Sequence, residues 1–514
     1  LTLYKNKRQW RAIILLVFLF NCTWGTTILS ANPLLNINSE DDLVYELIAG
    51  SPAAPGYETT LGPASMYSSV VCAQWNNRVN LYLNARGDGG WYIKPLNSFT
   101  SLYLFSNEEN GFMPGKAGLK FEKGSNLFMF QDGYLSLSKY FVAYYQVKES
   151  FLNNQKTVEI HRAYGKLMMG KVSFEGGIDN ANLGPGEYGL MLSHNSEPYP
   201  LIKLQTEESF RVFGKWDFTI INGWLREKRS DAVDVDNPSI IALRLVWKPV
   251  NWFELGMTRT SLYGGDGRKS YKFWEYPKML LSIDDNQVGS RWDNDAYAGY
   301  DFSFYIPFDR LWKEIKLFKF YWNVAATDMC APWQSDDNHP WVKLYDRAYQ
   351  IGFVSTIADH FIRFEFVVTP KVFYRHHIYS NEGYTYNGLS LGYPLGNNMQ
   401  AFSFSHRWFI ENWISLKYNL IVYQTPVFDT DDKYESIGDY FRPLLWKSDY
   451  DPHMLRFMGI LSCEVRFYRF IFEAFVRFDQ AENYDADISP VLNETITTEN
   501  RSFFTMGVSA SWRL

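Results

Sequence analysis

Four sets of side chains in this sequence have the right chemistry for a reactive or binding site. His194-Asn195-Ser196 places a base beside a hydroxyl, but neighbours in an extended chain cannot form a nucleophile–base relay. Asp284-Asp285 with Asp293 and Asp295 has the composition of a glycosidase pair or a calcium site. Without an ordered series of ligands it reads as solvated loop charge, or at most as weak divalent contacts to an anionic polymer. His376-His377 has the donors for a metal ion, yet adjacent residues of a strand point to opposite faces, so a polar role at a loop base is expected instead. Neither a catalytic centre, a metal nor a cofactor is expected. A fourth set remains, made of Trp, Tyr, Asp, Asn and Arg gathered in long polar segments, as at Trp274, Tyr276, Trp292, Asp293, Asn294, Trp333, Tyr384 and Tyr386. Aromatic faces stack on the apolar side of sugar rings, while amides and carboxylates hydrogen-bond to hydroxyls. Taken singly, such aromatics more often pack loops together or sit in a membrane-interface girdle.

The elements that would carry these residues are strands. Phe504, Met506, Val508, Ala510, Trp512 and Leu514 alternate without error with Thr505, Gly507, Ser509, Ser511 and Arg513, which gives one apolar and one small or polar face. Such a terminal strand resembles the closing strand of bacterial outer-membrane barrels. At the other end, Lys5, Lys7, Arg8 and Arg11 precede the unbroken apolar run Ala12–Phe20 and a small, polar exit through Ala31. This is the pattern of a secretory signal peptide over 1–31, cut after Gly25 or Ala31. The run is too short for a membrane helix, which needs about 20 residues. Asn21 before Cys22 does not fit a lipobox.

Composition agrees. Aromatics make up 18% of the chain, with 35 Tyr, 39 Phe and 18 Trp, while the mean hydropathy stays at -0.26. A barrel reconciles the two, because it shows lipid only every second residue and keeps its lumen and loops polar. The net charge of -6 and the absence of a basic stripe exclude a nucleic-acid partner. Cys72, Cys330 and Cys463 allow at most one disulfide. One short helix is expected at Glu40–Ala49, followed by a Gly/Pro-rich passage and then alternating runs at Arg78–Arg86, Ser101–Ser106, Asn126–Ser138, Val158–Met168, Lys171–Gly176, Phe210–Trp216, Ile240–Trp247, Trp252–Thr260, Ala298–Ile306, Lys316–Ala325, Tyr345–Ser355, Phe361–Thr369, Ala401–Trp408, Trp413–Tyr423, Met454–Phe478 and Ser502–Leu514. Met454–Phe478 is too long for one strand and must hold a hairpin. In it Val465, Phe467, Phe470, Phe472, Phe475 and Phe478 are read as lipid-facing. The count comes to roughly 16 to 20 antiparallel strands. Long polar segments at Tyr263–Asp295, Asp328–Val342, Tyr379–Met399, Thr425–Pro452 and Ala481–Arg501 read as extracellular loops. Leu183-Gly-Pro-Gly186 could form a constriction or a ligand-contacting turn, but a merely shaped connection is the plainer expectation.

Three stretches then carry a resemblance. The first is Arg162-Ala-Tyr-Gly-Lys-Leu167, Phe174-Glu-Gly-Gly-Ile-Asp179, Leu183–Gly186, His194-Asn195 and Pro198-Tyr-Pro200. The second is Trp252-Phe-Glu-Leu-Gly256, Thr258-Arg259 and Gly264-Gly-Asp-Gly-Arg268. The third is Tyr374-Arg-His-His-Ile-Tyr379, Gly383-Tyr-Thr-Tyr-Asn-Gly388 and Leu391-Gly392. In this order they resemble the Wzi capsule-assembly family. The resemblance implies an 18-stranded transmembrane outer-membrane β-barrel with helical material near its N-terminus and a lectin-like surface that binds exopolysaccharide and helps hold capsule on the cell.

The expected organisation is therefore an all-β antiparallel barrel over 67–514, preceded by a periplasmic or plug segment over 32–66 with its short helix. The expected partners are capsular or exopolysaccharide, outer-membrane lipids including lipopolysaccharide, and the barrel-assembly machinery, with a monomeric chain. The competing expectation is a porin or saccharide channel. Candidate polysaccharide contacts are the aromatics Trp274, Trp292, Tyr384 and Tyr386 with Arg268, Arg291 and Arg375.

Overall fold

The computed structural model describes residues 91–137, 140–153, 155–207, 209–229, 235–280, 292–306, 308, 311–330, 343–379, 382–411, 413–427, 453–484 and 499–513. The signal peptide, the 32–66 segment with its helix, the 78–86 strand and Arg291 lie outside the described residues.

Eighteen staves form the wall: β1 Trp91–Ser106, β2 Gly124–Leu137, β3 Phe141–Leu152, β4 Gln155–Met169, β5 Val172–Asp179, β6 Tyr199–Thr206, β7 Lys215–Trp224, β8 Ser239–Val250 and β9 Phe253–Tyr263. They continue as β10 Asp295–Tyr305, β11 Ile315–Cys330, β12 Lys343–Ile357, β13 His360–Thr369, β14 Met399–Glu411, β15 Ile414–Thr425, β16 Met454–Phe467, β17 Phe470–Glu482 and β18 Arg501–Arg513. A short piece, Phe210–Arg211, prolongs β6 along the same neighbour. Each strand pairs antiparallel with the next, and β18 returns to β1 from Ser98↔Arg513 to Ser106↔Thr505. The sheet is closed and has no edge.

The hydrophobic pattern runs opposite to that of a soluble protein. Along β18, Phe504, Met506, Val508 and Ala510 face outward and exposed, while Thr505 and Gly507 are buried inside. On β17, Phe470, Phe472, Val476 and Phe478 point out, and Arg477 and Asp479 point in. One expectation needs correcting here. Phe475 faces the lumen, where it packs with Leu104, Leu119, Phe121 and Phe128. The hairpin in this region turns at Tyr468-Arg469, with Tyr468 at φ 57°. Counted from that turn, position 475 belongs to the inward set.

Inward charges pair along and across the strands. Lys166 meets Glu207 at 2.8 Å, Lys203 meets Glu175 at 2.9 Å, and Lys248 meets Asp217 at 3.1 Å. Arg244 grips both oxygens of Asp301 at 2.7 and 2.9 Å. Arg477 reaches Asp479 at 2.8 Å and Glu108 at 3.2 Å. These groups are almost wholly removed from solvent, and only mutual neutralisation makes such burial tolerable.

Connections alternate in length, except that the link between β3 and β4 is also short. At one end they are tight, at 170–171, 251–252, 358–359, 412–413 and 468–469; at the other they are long, at 107–123, 180–198, 225–238, 264–294 and 370–398. Both described termini of the wall lie at the tight end. The 180–198 loop does not stay at the rim. It descends into the lumen, where Lys319 donates to the Pro185 carbonyl at 3.3 Å and Gln350 to the Tyr188 carbonyl at 3.0 Å. The main-chain N–H of Glu187 donates to Glu365 at 2.8 Å, and Arg363 pairs with the Glu187 carboxylate at 3.2 Å. The Leu183–Gly186 stretch is therefore a plug tip held by β11, β12 and β13, and more than a shaped connection.

Candidate functional site on the long-loop face

Over the plug lies the 370–398 loop, and the two are joined in one apolar layer of Leu190, Met191, Leu192, Phe373, Tyr379 and Leu391. Tyr374 and Tyr384 stack with ring centroids 5.7 Å apart and both donate downward, to the carbonyls of Leu190 and Met191 respectively. Ser193 and Leu391 add a main-chain bond of 2.7 Å. From the side, the buried Arg229 donates to the carbonyls of Gly383 and Thr385 at 2.8 and 3.1 Å. Burial holds the neighbouring Glu227 carboxyl above its ordinary range, against the opposing pull of Arg229.

Tyr384 is fully buried and Tyr386 nearly so, with burial pushing the Tyr386 phenol up to about 12. Neither ring offers a face to a ligand; they are structural members of the seal. Tyr384→Phe is expected to leave the Met191 carbonyl without this donor and cost ~1–3 kcal/mol. The loop amides should then exchange faster with deuterium while the wall amides keep their protection.

The 264–294 loop behaves differently. Tyr263 faces outward on β9 and donates to Asn222 on β7 at 2.6 Å. The loop's short helix α1, Tyr276–Leu280, packs Met279 against Ile241 and Tyr263 on the outer wall. Trp274 is 64% exposed on this outer flap, with the Lys272 ammonium 5.3 Å from its ring. It is thus set apart from the centre of the loop face. Trp292 sits nearer, half-buried against Tyr271 at 5.2 Å and beneath Lys278 at 5.8 Å. Arg268 donates to the main-chain carbonyl of Asp293 at 2.6 Å.

The structure therefore brings together Arg268 and Trp292, with Asp293 between them, and seals Tyr384 and Tyr386 inside. Arg375 is exposed beside a cleft of about 140 Å³ whose lining includes Glu382, Thr385, Ser390 and Asn397. A second, open cleft of about 500 Å³ is lined by Trp224, Leu225, Arg226 and Asn237. Sequence reasoning passed over Trp224 and Arg226, whose only signal is a Trp followed by alternating cations at a strand end.

One motif reading changes, and one further motif needs placing. His376 and His377 lie on a turn, not an extended strand. Their rings are 4.2 Å apart and both face the Asp293 carboxylate, with Nε2 atoms at 3.4 and 2.9 Å. Burial, helped by His377 and opposed by Asp293, pushes His376 down to about 4, so the ring is neutral at pH 7. Gly388-Leu-Ser-Leu-Gly392 has the spelling of a nucleophile elbow, but Ser390 lies on the two-residue ribbon Leu389–Ser390 rather than on a strand–turn–helix. Its hydroxyl accepts the Gly392 N–H at 3.2 Å.

Comparison with known proteins follows the same lines. A family model described as capsule assembly protein Wzi matches residues 106–424. Among solved structures, the Escherichia coli outer-membrane protein Wzi, a carbohydrate-binding β-barrel involved in group 1 capsule assembly, superposes with a TM-score of 0.62 at 14% identity, covering 94% of this chain and 100% of that one. The Pseudomonas aeruginosa outer-membrane protein OprD gives a TM-score of 0.47 at 8% identity, over 84% of this chain and 96% of that one. None of the curated proteins compared matches the sequence. With the family model spanning most of the wall from the end of β1 to β15, the plug and the overlying loop, this chain belongs to the Wzi family of capsule assembly proteins.

Proposed function

We propose that the protein is a sealed barrel spanning the outer membrane, whose long-loop face binds capsular or extracellular polysaccharide and holds it at the cell surface without chemical change. The observation that carries this reading is the seal itself. Two long loops are spent on closing the lumen, which leaves recognition to side chains that remain on the loop surface. Arg375 and the polar cleft beside it suit acidic and hydroxyl-rich sugars. Trp292 offers a partly exposed aromatic. Weak contacts of this kind, on the order of 1 kcal/mol each, gain useful strength by repetition along a polymer.

The outward apolar residues, including Leu167, Phe174, Phe472, Val476 and Val508, suit a hydrocarbon environment. The outer flap carries Lys272, Trp274 and Lys278 where the wall meets the outer leaflet, which suits the phosphates of lipopolysaccharide. A closed sheet leaves no strand edge for a second copy, in keeping with a monomer. The patterned β18 suits delivery through the barrel-assembly machinery. Against the conducting alternative stands the burial of Asp217, Lys166, Arg244 and Gln350, all at 0% exposure, whereas a water-filled pore would wet them.

Arg375→Ala combined with Trp292→Ala is expected to insert normally and bind the purified polysaccharide of the producing strain at least about tenfold more weakly, the effect of two lost ~1 kcal/mol contacts. Surface-retained capsule should fall in parallel. Unchanged binding by this variant would place recognition elsewhere.

A further inference from the structure

We infer that Asp293, His376 and His377 form a transition-metal site, with Zn²⁺ as the best-fitting ion, that ties the 264–294 loop to the 370–398 loop. Among the described residues these are three donors whose ligand atoms all lie within 4.8 Å of one another. The donors come from two loops that are far apart in sequence. The two histidine Nε2 atoms approach different oxygens of the one carboxylate, at 3.4 Å for His376 and 2.9 Å for His377. A tetrahedral zinc ion with bonds of about 2.0–2.1 Å spaces its donors about 3.3 Å apart. The two N–O separations lie near that figure, and with all three ligand atoms within 4.8 Å of one another modest side-chain rotations bring them onto one ion.

Burial grades the site from closed to open. Asp293 is almost wholly buried, His376 is mostly buried, and the His377 side chain is 52% exposed. The fourth coordination position therefore lies on the His377 side, where water or a polysaccharide oxygen can reach it. Two imidazoles and one carboxylate favour Zn²⁺, Ni²⁺ or Cu²⁺ over Ca²⁺ and Mg²⁺, which take all-oxygen ligand sets.

Two features weaken the site without closing it. The Arg268 guanidinium bonds to the Asp293 carbonyl and adds positive charge nearby. The N–H of Ile378 donates to His376 Nδ1 at 3.3 Å, which places the ring proton of the metal-free form on Nε2. Zinc at Nε2 moves that proton to Nδ1 and gives up one long hydrogen bond. An affinity in the micromolar range follows, below that of a fully enclosed structural site.

The inference rests on the geometry of these loops and stands independently of polysaccharide binding. The test uses the full, untagged protein in detergent, stripped with a chelator and titrated with ZnCl₂ by calorimetry and equilibrium dialysis. One zinc per chain at micromolar affinity is expected, with Ca²⁺ giving no competition at equal concentration. His377→Ala is the primary variant, because its half-exposed ring can be removed while the barrel keeps its heat-modifiable mobility. It should weaken uptake at least tenfold, and Asp293→Asn should do likewise. Co²⁺ in place of zinc should give the intense visible bands of four-coordinate cobalt in the parent protein and lose them in His377→Ala. Absence of saturable zinc uptake by the parent protein, or uptake undiminished in a correctly folded His377→Ala, would overturn the assignment.

Discussion

Gly186→Phe is expected to turn a silent barrel into a conducting one. The plug tip passes so close to the wall that a Cβ at Gly186 would overlap the Gln350 amide and lie 2.6 Å from Glu365 Oε1. Neither neighbour has room to retreat. Gln350 is fixed by its bond to the Tyr188 carbonyl, Glu365 by the hydroxyl of Tyr321 and the N–H of Glu187, and both are essentially unexposed. A phenyl group there can be accommodated only if the tip leaves the lumen, and the bonds from Lys319 and Arg363 leave with it. In planar bilayers the parent protein should give no current steps, while Gly186→Phe and a deletion within 182–192 should give discrete openings. Steps from the parent protein would show that the seal is not tight. Silence from the point variant beside a conducting deletion would show that the wall side chains can yield.

Asp301→Ala should produce the largest loss of stability in the wall. It removes the carboxylate that receives two bonds from Arg244, a guanidinium with 0% exposure that also donates to Thr258. Leaving a buried charge without its counter-ion costs ~3–5 kcal/mol, whereas the same deletion in a hydrated lumen would cost about 1 kcal/mol or less. Urea unfolding from detergent or lipid discriminates these outcomes. Adding Arg244→Leu to Asp301→Ala should restore most of the loss, since the double variant buries no charge at all. A small loss for Asp301→Ala alone would mean that water reaches Arg244.

The wall was legible where its two faces differ in kind. β18 and β17 alternate because their outer face is apolar and their lumen face small, polar or charged, so period two survives in the sequence. β3 and β6 were missed because their inward faces also carry apolar groups. Val142 and Tyr144 on β3 pack with Tyr134 and Tyr164, and Tyr199 and Leu201 on β6 lie under the inserted loops. The run Phe210–Trp216, read as one strand, instead contains the turn between the end of β6 and β7, with Phe213 and Gly214 at positive φ.

The site was legible only by composition. Tyr384 and Tyr386 look like any loop aromatics until the plug beneath them is known, and nothing local announces that 180–198 descends while 271–280 packs on the outer wall. The histidine pair was misjudged for a definite reason. The alternation rule holds on strands, and residues 376–377 sit on a turn.

The anchoring of the plug also fixes an order of events. Pro185 is bonded to a residue 134 positions further along, and Glu187 to one 178 positions further along. The tip can therefore be seated only once β11, β12 and β13 stand in the wall, whatever the order in which the strands are added. Closure of the lumen is thus a consequence of completing the ring and not of the loop folding by itself, and a barrel that lost any of these three strands would lose its plug as well.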